Sequence, residues 1–158
     1  MGAEGVSARR GNLPDAFTRA LPAAARGQIE WRTLPLGPAG QVVVLVRLDD
    51  SGAVSEITPL GVVPAQLEQL LRTTRLLLKA GQFAPPAEGT SGEYRLGLRA
   101  VVEEREASSD EHALPDQVRH LASRYPTQDR PGEATVTFNS GRTARFEVVL
   151  DPERHPDW

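Results

Sequence analysis

The sequence predicts an α+β fold in which a small antiparallel sheet of about three strands is packed by one long and one short helix, with an additional short helix and β-hairpin towards the C-terminal end. Three observations predict it. Residues 41–48, QVVVLVRL, and 93–102, EYRLGLRAVV, carry apolar side chains at the two-residue period of strands. Between them, residues 64–81 repeat leucine at helical spacing. Finally, 14 Gly and 13 Pro among 158 residues leave little room for long uninterrupted helices.

The elements follow in chain order. Residues 1–12, MGAEGVSARRGN, lack periodicity and read as a disordered leader or a cloning remnant. From Leu13, Pro14 suits a first helical turn, Phe17 and Leu21 share a face, and Pro22 marks a stop, which predicts a helix of about two turns. IEWRTLPLGPAG reads as an extended linker anchored by Trp31, Leu34 and Leu36. In 41–48, Val42, Val44, Val46 and Leu48 form one face, with Val43 and Leu45 on the other, as in a central strand covered on both sides. The turn Asp49-Asp50-Ser51-Gly52 leads into a second strand, AVSEITPL, where the three-residue separation of Val54 and Ile57 calls for a bulge.

The long helix opens at Pro64. Leu67, Leu70, Leu71, Thr74, Leu77 and Leu78 fall on one face, Glu68 stands four before Arg72, Lys79 lies in the last turn, and Gly81 suits the left-handed terminal position. After the breaker run FAPPAEGTSG, Tyr94, Leu96, Leu98, Ala100 and Val102 alternate with Arg95, Gly97 and Arg99 in a strand with one buried face. Residues 106–114 read as a charged linker, and Pro115 to Tyr125, with Val118, Leu121 and Ala122, as a short amphipathic helix. In EATVTFNSGRTARFEVVL, a three-residue loop Asn139-Ser140-Gly141 with Gly141 left-handed matches the apolar faces. It pairs Phe138 with Arg142, Val136 with Ala144 and Ala134 with Phe146. The predicted organisation is therefore a domain at 13–105, the linker, a helix-plus-hairpin extension at 115–150 packed on the same domain, and a tail at 151–158.

Charge and composition narrow the function classes. Net charge is −3, and the acidic excess lies in residues 91–158, where nine Arg face thirteen acids. Nucleic acid is disfavoured as a partner because a basic stripe is missing. The 18 basic residues comprise 17 Arg and Lys79, a bias that fits high-GC coding. Zero Cys removes thiol nucleophiles, disulfides and thiolate metal sites.

The order helix, strand, tight turn, strand, long helix, F-x-P, strand resembles the C-terminal domain of the TonB energy-transducer family. The residues that carry the resemblance are Gly40 with Val42, Val44 and Val46, the Asp50-Ser51-Gly52-Ala53-Val54 turn, the helix after Pro64, and Phe83-Ala84-Pro85 before the Tyr94 to Val102 strand. It covers roughly residues 13–105. The Tyr-Pro pair that commonly opens the family domain is missing, as are the membrane anchor and proline-rich spacer, so the chain reads as an excised fragment of a longer one. The resemblance implies a noncatalytic, periplasmic adaptor without cofactor, which captures the TonB box of an outer-membrane transporter by strand addition. Through parts not in this chain it would reach an inner-membrane proton-driven motor, and it could form a homodimer. In the family the binding edge is the strand matching Glu93, Tyr94, Arg95, Leu96, Gly97, Leu98 and Arg99. The alternative is a noncatalytic structural or assembly domain of the cell envelope whose sheet edge is capped by its own C-terminal hairpin.

Two chemical constellations read as structural. His112, Asp116 and His120 have the i, i+4, i+8 spacing of three ligands on one helix, but Pro115 prevents that helix from running through from His112. No metal site is expected there, nor at His155 in the Pro-rich tail. Ser51 and Ser140 are turn residues without a nucleophile elbow, and no phosphate-binding glycine loop is present, so enzyme status is not expected.

Overall fold

The computed structural model describes residues 11–86, 92–155 and 158. A single six-stranded antiparallel sheet forms the body, in the order β2-β1-β3-β6-β5-β4, with β1 Gly37–Leu48, β2 Val54–Leu60, β3 Glu93–Glu104, β4 Val118–Arg124, β5 Gly132–Phe138 and β6 Arg142–Leu150. Among the described residues two α-helices, α1 Leu13–Arg26 and α2 Ala65–Leu78, accompany it. The expected sheet of about three strands with a separate short helix and hairpin is thereby corrected. The C-terminal hairpin extends the same sheet, and the segment predicted as a helix after Pro115 is β4.

The misread helix has a physical explanation. Val118, Leu121 and Ala122 fit a helical face, but Pro115 and Pro126 leave too short a span for a stable isolated helix. Pairing with β5 satisfies the backbone of Val118–Arg124 instead, and β-propensity yields to that context. A bulge between Val118 and His120 accommodates the register.

Helix α1 is longer than expected. It passes through Pro22 and ends at Arg26, with Asn12 capping its start by accepting from the Asp15 backbone N at 2.9 Å. Pro22 costs an internal hydrogen bond, and the strong helix formers Ala23, Ala24 and Ala25 follow it, two of them buried against the core. Gly11, placed by sequence in the leader, bonds to Gln82 and Ala84 and is part of the fold, whereas residues 1–10 of that expectation lie outside the described residues. The linker after α1 contains a single 3₁₀ turn, Ile29–Arg32, which buries Trp31 edge-on against Phe146 at 4.9 Å, while Leu36 is exposed.

Elsewhere pattern and structure agree in the two hairpins but not throughout β1 and α2: β1 is not covered on both sides, since the core lies on its Val42, Val44 and Val46 face and Val43 and Leu45 opposite are only half-buried. The β1–β2 register slips at Arg47/Leu48, leaving Ser55 as the extra residue between Val54 and Glu56. Gly141 has φ +94°, and the hairpin pairs Val136 with Ala144 and Ala134 with Phe146. Along α2, Leu67, Leu70, Leu71, Thr74 and Leu78 are buried, but Leu77 is exposed. Gly81 is not left-handed; a Cβ there would fall 2.5 Å from the Phe83 ring, so its role is steric. The core lies between the helices and one sheet face, formed by Val42, Val44, Leu96, Leu98, Ala100, Phe146, Val148 and Val136.

Candidate binding surfaces

The residues nominated as an open edge lie in the interior of the sheet. β3 pairs with β1 along Glu93–Val102 and with β6 along Leu96–Glu104. The remaining stretch, Glu93 to Arg95, extends beyond the end of β6, and the Arg95 carbonyl accepts from the Asp151 backbone N at 3.2 Å. An extended segment therefore finds no unpaired ladder at Leu96, Gly97, Leu98 or Arg99. This corrects the edge assignment, and its cause is topological: the C-terminal hairpin satisfies the β3 backbone.

The side chains of that strand have other work. Leu96 and Leu98 are fully buried in the core. Glu93 accepts from Arg47 at 2.9 Å, in a chain that continues to Glu56. The Tyr94 hydroxyl donates to the Ala84 carbonyl at 2.7 Å, and partial burial pushes its pKa up. Arg99 donates to Gln41 Oε1 at 3.3 Å, reaches Glu147 at 3.4 Å, and lies 4.7 Å from the centre of the Trp158 ring. Trp158 covers Gly97, a contact sequence reasoning missed.

The two sheet edges are β2 and β4. Beside β2, a groove of about 570 Å³ runs between the strand and α2, lined by Ile57, Pro59, Val63 and Leu71 with Glu68, Arg72 and Arg75. Arg72 bonds to Glu68 at 2.7 Å, and Arg75 Nη2 donates to the Ser55 carbonyl at 3.0 Å. Val62, at the same corner, is fully exposed. Such a concavity, apolar at its base and cationic on its helical side, can hold one or two apolar side chains and a carboxylate.

β4 offers exposed side chains rather than a groove. Arg119 donates to the Glu106 carbonyl at 3.1 Å, and His120 stands on the sheet opposite Thr137. His112 lies in a turn whose amide donates to Asp110, so the triad suggested by spacing is dispersed, and among the described residues no group of three His, Asp or Glu could hold a metal. Ser51 donates to Asp49 at 2.6 Å within its turn. No helix among the described residues is long and apolar enough to cross a membrane. No protein-family model matches the chain, and comparison with curated proteins and with solved structures gives no significant match.

Proposed function

We propose that this chain is a noncatalytic interaction domain that holds an extended, apolar and acidic segment of a partner protein in the groove between β2 and α2, its β3 edge being capped by its own hairpin. The observation that carries the reading is the pairing of β6 along β3 from Leu96 to Glu104, which moves partner capture away from β3. Pro59 lacks a donor and Arg75 already serves the Ser55 carbonyl, so insertion of side chains outweighs strand addition at β2. Charge complementarity selects the occupant. Arg72 and Arg75 outnumber Glu68, and the exposed Arg72–Glu68 pair is worth only about 0–1 kcal/mol, so an incoming carboxylate exchanges with it readily.

Titration of the full chain, followed by amide NMR, tests this with two peptide sets: one alternating Val and Asp, the other copied from transporter N-termini. The first set is expected to shift Ile57, Val62, Val63 and Arg72, and the Arg72→Glu, Arg75→Glu double variant to abolish the shifts. Absence of shifts at millimolar peptide overturns the groove reading. Binding of the second set along β3, with loss of protection in β6, would instead restore the transducer reading.

A further inference from the structure

The sheet face turned away from the helices carries a second recognition feature. On it the register sets Gly97 between Val43 of β1 and Val149 of β6, with Arg99 two residues along β3. Glycine in the interior of a central strand packs nothing and weakens the strand, so its place there marks a close approach. The group that approaches is the Trp158 indole: a Cβ on residue 97 would fall 2.7 Å from its Cε2 and 2.8 Å from its Cζ2. The Arg99 guanidinium lies 4.7 Å from the ring centre, and Gln41 Nε2 donates to the Trp158 carbonyl at 3.4 Å.

The chain is steered to this seat. Asp151 takes a left-handed φ of +47°, its amide donates to the Arg95 carbonyl, and Pro152 is buried. The β6 ladder ends at Leu150; beyond it, among the described residues, that bond, Gln128 Nε2 donating to Asp151 Oδ2 at 3.3 Å, the buried Pro152 and the indole hold the chain rather than strand pairing. Beside the indole, Val43, Leu60, Arg95 and His155 line a shallow concavity of about 450 Å³.

We propose that the open face carries an indole-recognition socket made by Gly97, Arg99 and Gln41, which Trp158 fills in cis and which a tryptophan of a partner segment takes when Trp158 leaves. The occupant follows from the walls. The missing Cβ admits a flat ring, a guanidinium beside the ring favours tryptophan over other aromatics, and the carboxamide reads the neighbouring backbone carbonyl. The cis and trans occupants exclude one another, so apparent affinity for the trans ligand falls by the fraction of chains whose socket is open. This site is independent of the groove beside β2.

The probes are N-acetyl-tryptophanamide and a peptide with the sequence of residues 151–158, titrated onto the full-length Trp158→Ala chain. Both are expected to shift the Gln41, Gly97 and Arg99 amides, binding at least about tenfold tighter than to the wild type. Adding Gly97→Ala should abolish binding, because its Cβ meets a side chain rather than backbone and leaves the sheet intact. In the single Gly97→Ala variant, tryptophan emission should move to the red and become more open to iodide quenching, while the fully buried Trp31 contributes a constant signal. Equal binding to wild type and Trp158→Ala, no binding to a folded Trp158→Ala chain, or unchanged emission in Gly97→Ala would overturn the socket.

Discussion

The two edges of the sheet are held by different forces. β2 buries Val54, half-buries Ile57 and Pro59, and has α2 alongside; β4 has α1 alongside, yet its side chains are exposed from Arg119 to Arg124. β2 is blunted by Pro59, by the Ser55 bulge and by Arg75 on the Ser55 carbonyl. β4 is blunted by charge, with Arg119 and Arg124, and by its bulge near Val118. One edge is thus anchored by buried apolar surface, the other by its ladder to β5 and the nearness of α1, with little side-chain burial of its own. The difference teaches that an edge strand can complete a sheet without contributing much core, and that such a strand belongs to the low-stability end of the molecule.

The sharpest way to break the comparison is to place proline inside and outside the sheet. Arg99→Pro removes a donor and forces a ring into a strand paired on both sides, and should cost about 3 kcal/mol or more, enough to abolish cooperative thermal unfolding. Ser123→Pro on β4 should leave a folded chain whose melting temperature drops by a few degrees. Circular dichroism melts of the two variants would decide it, and a well-folded Arg99→Pro chain would contradict the interior position of β3.

A gentler comparison truncates a leucine beside each edge. Leu71, 3% exposed, lies on α2 by the groove, and Leu71→Ala should destabilise by roughly 2–5 kcal/mol through the cavity it leaves. Leu121, 38% exposed on β4, gives up more than a third of its transfer energy to water and sits where no closed cavity would form, so Leu121→Ala should cost about 1 kcal/mol. Urea midpoints would measure both. Equal shifts would mean that β4 is anchored by burial after all.

The same contrast explains what the sequence made legible. β1, α2, β3 and the β5–β6 hairpin each bury an apolar face, the hairpin burying Thr135, Thr137 and Thr143 on its other face as well, and burial imposes a period: valine at every second position in β1, leucine at helical spacing in α2, the face-matching that sets Ala134 against Phe146. β4 buries almost nothing, so no period is imposed, and the chance spacing of Val118, Leu121 and Ala122 reads as a helix. Pro22 reads as a stop because propensity is local, whereas the packing of Ala24 and Ala25 that carries α1 past it is not. Strand order is invisible for a related reason: the alternation in β3 says which face is buried and nothing about which strand takes its second row of backbone groups. The resemblance puts Gly97 and Arg99 on an edge that they do not form. The signal for their actual contact was a glycine in the middle of a strand together with a tryptophan that no element claimed.

The smallest effect concerns the turns that deliver each edge. The loop between β4 and β5 closes through backbone bonds between Thr127 and Arg130, but the loop before β2 closes on a charge. Asp49 Oδ1 accepts from Ser51 Oγ at 2.6 Å, from the Ser51 amide at 2.9 Å and from the Ala53 amide at 3.1 Å. The Ser51 hydroxyl first and the Ala53 amide second hold its carboxyl below the ordinary 3.8. Because the folded value lies below the unfolded one, the contribution is fully present above that unfolded value and is lost as pH falls through the folded value. Asp49→Asn keeps an acceptor but loses the charge. Its urea midpoint should therefore sit slightly below wild type at pH 7, and the gap should narrow as pH falls below 3.8 and close once it passes below the lowered folded value, where the wild-type carboxyl is protonated too. A gap of constant size across that range would show that the turn is set by shape alone and that neither edge depends on ionisation.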